Sequence, residues 1–120
     1  MRNKNLKRMR LITKFLLIAL AVMGIAWLIP GVEVASFTSA LWVALILTIL
    51  NLILKPILII LTIPVTILTF GLFLIVINGL MIWMTSSLIP GFFVPTFLKA
   101  IFFSLLLSAA TYLIESILGS

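Results

Sequence analysis

Two carboxylates, Glu33 and Glu115, are the only side chains in this 120-residue sequence that could share general acid–base work. Cysteine, histidine and aspartate are all absent. That removes thiol nucleophiles, imidazole bases, disulfides, haem ligation and the usual zinc ligand sets. The topology derived below places the two glutamates on opposite sides of a membrane, so they form no catalytic pair. The sequence predicts no catalytic residue, no cofactor and no metal site, and it reads as a non-enzyme.

Polar residues at helical spacing carry more information. Ala40, Ala44, Thr48, Asn51 and Lys55 follow one another at intervals of four, four, three and four, and so share one helix face. Ala100, Ser104, Ser108, Thr111 and Glu115 repeat that spacing sixty residues later. Each set is small at one end, hydroxyl or amide in the middle and charged at the last position. Small residues let helix backbones approach, and hydroxyls or amides bond across the contact. Asn78 stands midway between Gly71 and Thr85 in a seven-residue repeat and reads as a buried hydrogen-bonding group on a third face. These eleven residues, from Ala40 through Asn78 to Glu115, are the candidate site, as helix-packing faces or as the lining of a polar pathway.

The elements that must position them are membrane helices. Hydrophobic residues make up 65% of the chain and charged ones 8%, with a mean hydropathy of +1.50. A soluble domain carries roughly 25% charged residues, because its surface faces water. Four apolar spans can be cut: about 11–29, 39–54, 69–89 and 99–118. Backbone polar groups in lipid must be satisfied within each segment, so these are helices. Sixteen residues of helix rise only about 24 Å, short of a hydrocarbon core of about 30 Å. The second span therefore continues through a kink at Pro56 to about Ile60, with Lys55 reaching for the headgroups. The piece from Ile57 to Leu68 cannot cross alone; it is part of that helix, interfacial or re-entrant. The expected organisation is one membrane domain over 1–120: a basic cytoplasmic tail (1–10), a first hairpin (11–60), an apolar connection (61–68) and a second hairpin (69–120). The first span has no polar exit at which a signal peptidase would cut, so it is expected to remain as a helix.

An internal repeat fixes the relation between the hairpins. With a shift of sixty, Ile29-Pro30-Gly31 falls on Ile89-Pro90-Gly91, Val34 on Val94, Phe37 on Phe97, Ala40 on Ala100, Leu45 on Leu105 and Leu47 on Leu107. Ordered Pro, Gly and Phe matches exceed what shared hydrophobicity produces. Two crossings per unit make these parallel repeats about an axis along the membrane normal. The fold class is all-α integral membrane protein, four transmembrane helices in two parallel-repeat helical hairpins. If the second and fourth helices pack along that axis, Lys55 and Glu115 meet. The two small-residue faces are also expected to drive self-association into a homo-oligomer.

Charge sets the orientation. Arg2, Lys4, Lys7, Arg8, Arg10 and Lys14 crowd the N-terminus and Lys55 lies on the same side, with Lys99 alone on the other. The positive-inside rule puts both termini in the bacterial cytoplasm and both Ile-Pro-Gly loops outside. Five crossings would bring Lys99 inside as well, but span length favours four. The tail suits anionic headgroups, and without a basic stripe elsewhere the net charge of +6 does not point to nucleic acid. No small-molecule substrate is evident, since the first span lacks the acid on which small multidrug transporters depend. Trp27, Trp42 and Trp83 near the outer helix ends read as interfacial anchors, and Glu33 as a solvated loop residue.

The ordered pattern Asn51-x4-Pro56-x7-Pro64-x4-Thr69-x-Gly71-x6-Asn78, followed by Pro90-Gly91, resembles the superfamily IV phage-holin-like family of four-helix bacterial membrane proteins. Phe70 stands where that family's Thr-Leu-Gly would have leucine. The resemblance implies a cytoplasmic-membrane protein of the holin kind, one that oligomerises and permeabilises the bilayer. It supplies no catalytic residue. A non-lytic membrane scaffold or envelope stress-response component without pore activity is the alternative.

Overall fold

The computed structural model describes residues 2–119, and of residues 2–4 the backbone alone; the side chains of Arg2 and Lys4, counted in the basic tail, lie outside it. Five helices and two very short strands follow in order: α1 (Arg2–Leu28), β1 (Glu33–Val34), α2 (Phe37–Leu61), α3 (Ile63–Leu68), α4 (Phe73–Leu88), β2 (Phe92–Phe93) and α5 (Phe97–Leu118). The protein is an all-α integral membrane protein in which α1, α2, α4 and α5 form two parallel hairpins. Three of these helices are long and apolar enough to cross a bilayer, and α4 is a shorter apolar one.

The basic tail is not a separate segment. Residues 2–10 lack Pro and Gly and consist largely of strong helix formers, so the helix of the first span propagates back through them. Ser36 and Thr96, repeat-equivalent residues, cap α2 and α5 in the same way: each hydroxyl accepts the N–H three residues on at 3.2 Å. Helix α2 runs through Pro56 to Leu61. The Leu52 carbonyl forgoes its partner there, because proline has no N–H to offer.

Between Thr62 and Leu72 the chain turns twice. Phe70 (φ 55°) and Gly71 (φ 86°) take left-handed backbone, which ends any helix. The third crossing helix therefore begins at Phe73 rather than Thr69, and Gly71 leaves the expected Gly71–Asn78–Thr85 seam. Thr69 Oγ1 accepts the Phe73 N–H at 3.2 Å and so satisfies the first N–H of α4, whose N-cap residue Leu72 makes no side-chain capping bond.

In the bundle α1 packs against α2 and α5, and α4 packs against the same two, so α2 and α5 occupy opposite corners. Buried residues recur sixty apart: Ala40 with Ala100, Val43 with Phe103, Ala44 with Ser104, Leu47 with Leu107, Val22 with Ile82. Phe92 meets Phe103 edge to face at 5.3 Å in the half of the bundle nearest the Pro-Gly loops, and both are fully buried. Helices α4 and α5 approach closely at Gly79, where a Cβ would stand 2.6 Å from Ile101 Cγ1 and 3.2 Å from its Cα.

The loops close the bundle at the end away from the termini. β1 and β2 pair antiparallel with Glu33 opposite Phe93, residues sixty apart, so the pseudo-two-fold axis passes through that pair. Ala35 N–H donates to Gly91 O at 2.8 Å. The equivalent bond is impossible in the other loop, since Pro95 has no N–H, and Lys99 Nζ instead donates to Pro30 O at 2.6 Å. Both loops thus lie at one end of the molecule, whereas five crossings would have separated them.

Candidate functional site

Each polar face divides at mid-helix. Ala40, Ala44, Ala100 and Ser104 are fully or nearly buried, and they hold α2 and α5 against their neighbours within one chain. Within one chain these four positions are covered by neighbouring helices, whereas Thr48 and Ser108 on the same faces are exposed. The hydroxyls do not bridge helices. Thr48 donates to Ala44 O at 2.7 Å, Ser104 to Ile101 O at 2.7 Å and Thr85 to Met81 O at 2.8 Å, each within its own helix. A back-bonded hydroxyl is satisfied without a partner helix, so it tolerates an apolar core.

Toward the terminal end the faces open onto two clefts. The first, about 460 Å³, lies between α1, α2 and α5 and brings Thr48, Asn51, Thr111 and Glu115 together with Lys14. The second, about 350 Å³, lies between α2, α4 and α5 and gathers Asn51, Lys55, Asn78, Ser104, Ser108, Thr111 and Glu115, with Tyr112. Leu47 and Leu107 line both clefts and are nearly buried; beyond them the core is apolar apart from the back-bonded hydroxyls of Ser104 and Thr85. No group of three or more His, Cys, Asp or Glu side chains converges among the described residues.

The ion pair is not the one expected. Glu115 Oε1 accepts from Lys14 Nζ at 2.7 Å, with both side chains partly exposed. Lys55 and Glu115 occupy equivalent heights but stand on diagonal helices, whereas α1 lies beside α5. Lys14 and Tyr112 are the site residues that sequence reasoning missed. A signal for Lys14 exists: it precedes Ile18, Val22 and Ile25 at intervals of four, four and three, on the inward face of α1.

The family described as mycobacterial 4 TMS phage holin, superfamily IV, matches the chain over residues 9–113. An uncharacterised membrane protein of Bacillus subtilis, YvlD, is 42% identical over 98 residues, which cover 81% of this chain and 82% of the relative. The uncharacterised protein SCO3922 of Streptomyces coelicolor is 36% identical over 80 residues, 63% of this chain and 64% of that one. No solved structure matches.

Proposed function

The chain belongs to the four-transmembrane phage holin family, superfamily IV, and from that premise we propose that it is a resident, non-enzymatic protein of the bacterial cytoplasmic membrane, acting as a sealed bundle and scaffold rather than as a pore. One observation carries this reading. The side chains that could line a water-filled lesion are confined to the two clefts between the helices, where Thr48, Asn51 and Ser108 stay exposed, while the rest of the perimeter is apolar. Leu16, Leu20, Leu45, Leu52, Leu98, Phe102, Leu105 and Leu113 are all exposed. A ring of intact bundles would present these leucines to water, at roughly 25 cal/mol for each Å² left wet. Along its own axis the chain is plugged by Leu47, Leu107 and Phe103.

The permeabilising reading is favoured by a different observation: the inward faces carry Asn51, Asn78, Ser108 and Thr111. Parting the two hairpins along the clefts would turn those residues toward water, as a holin-type lesion requires. Controlled expression in bacteria, with a potential-sensitive dye and plating, separates the two. Expression that leaves potential and viability intact agrees with the scaffold; a sudden collapse of both replaces it with the holin reading. The orientation we propose places both termini in the cytoplasm, where the basic N-terminal residues meet anionic headgroups.

A further inference from the structure

The two clefts are related by the internal repeat, yet their charges differ. In the cleft beside α1, Lys14 neutralises Glu115. In the cleft beside α4, the position equivalent to Lys14 is Leu74, and the position equivalent to Glu115 is Lys55. The chain has only two side-chain carboxylates: Glu115 is held by Lys14, and Glu33 lies at the opposite end of the bundle. Among the described residues Lys55 therefore has no ionic partner. With Lys14, Glu115 and Lys55 taken together, the shared polar region carries one uncompensated positive charge.

Around Lys55 stand groups suited to oxygen ligands. Asn51 and Asn78 offer amide N–H donors, and Ser108, Thr111 and Tyr112 offer hydroxyls. Among the described residues none of these side chains is engaged in a hydrogen bond within the chain. The cleft lies toward the end of the bundle where Lys7, Arg8 and Arg10 are exposed, so an anion arriving there is drawn by the same field. Its floor is apolar, with Leu47, Met81, Ile82 and Leu107, and the outer faces of the same helices expose Leu52, Leu74 and Leu113, along which acyl chains could lie while the polar group entered.

We infer that the cleft between α2, α4 and α5 is a binding site for the phosphate of an anionic phospholipid headgroup, held by Lys55 with Asn51, Asn78, Ser108 and Thr111. Basic pockets between transmembrane helices take such headgroups because charge and a desolvated wall act together. The site does not depend on whether the protein is a scaffold or a pore.

Thermal unfolding of the purified protein in a neutral detergent, titrated with phosphatidylglycerol, phosphatidylcholine or inorganic phosphate, tests the inference. Phosphatidylglycerol should raise the unfolding temperature saturably, and phosphatidylcholine should not. Lys55→Gln should weaken the apparent affinity on the order of tenfold, as for loss of a charge-assisted hydrogen bond. Lys55→Arg should largely retain it. Asn78→Leu, which fills the cleft without changing charge, should weaken it as well, and serves where Lys55→Gln does not fold. Arg10→Gln, which removes part of the attracting field but no group of the cleft, should cost far less than Lys55→Gln. Equal losses in Arg10→Gln and Lys55→Gln would reduce the effect to diffuse attraction and overturn the site. Inorganic phosphate matching the lipid at equal concentration would overturn the lipid as ligand.

Discussion

Lys14 and Glu115 meet at 2.7 Å with side chains 28% and 40% exposed. An ion pair that open contributes about 0.5–1 kcal/mol, because water and salt screen it. Lys14→Glu sets two carboxylates side by side and should lower the unfolding temperature by a few degrees. The double exchange Lys14→Glu with Glu115→Lys should recover most of that loss. Exchanging Lys55 with Glu115 should recover nothing, and full rescue by that exchange would mean that Glu115 turns toward α2 in the membrane. This pairing was half legible. Glu115 and its inward face could be read from spacing, but its partner could not, since the repeat aligns equivalent heights without saying which helices are neighbours. In a four-helix square the equivalent helices of two parallel hairpins fall on the diagonal, which separates Lys55 from Glu115.

At the scale of elements, the helix pair α4–α5 is set by a missing side chain. Gly79 lets Ile101 approach until a Cβ would stand 2.6 Å from Cγ1 and 3.2 Å from the Cα. The second distance involves backbone, so rotation of Ile101 alone cannot relieve it. Gly79→Ala should destabilise the protein by about 1–3 kcal/mol despite alanine's better helix propensity. Gly24, inside α1 with nothing within 4 Å of its would-be Cβ, supplies the contrast. Gly24→Ala should be neutral or stabilising by up to about 1 kcal/mol in the same melt. Equal effects at the two glycines would mean that α4 and α5 do not close so tightly. Sequence reasoning saw the crossing helices and the loops, because span length and Pro-Gly pairs report them directly. It saw the segment around Thr69 poorly, because Phe70 in left-handed backbone carries no compositional mark. The helical tail escaped it too, since charge hid the absence of any helix breaker before Leu11.

The whole molecule is organised about an axis that runs through Glu33 opposite Phe93. Cysteines placed at these two positions should both react with an impermeant thiol reagent added outside intact cells, while one at Lys7 stays protected. Labelling at only one of the loop positions would break the two-fold arrangement, and labelling at Lys7 alone would invert the molecule. The same axis has a consequence for ancestry. Two copies of the first hairpin, docked by the present geometry, would set Glu33 against Glu33 and Lys14 against Lys55, like charge against like at both ends. Two copies of the second would leave Glu115 facing Leu74. Neither half is a good mate for itself, while each is a good mate for the other. Joining them in one polypeptide guarantees a fixed one-to-one dosage of complementary halves, so that each was free to drift away from self-recognition without losing its fold.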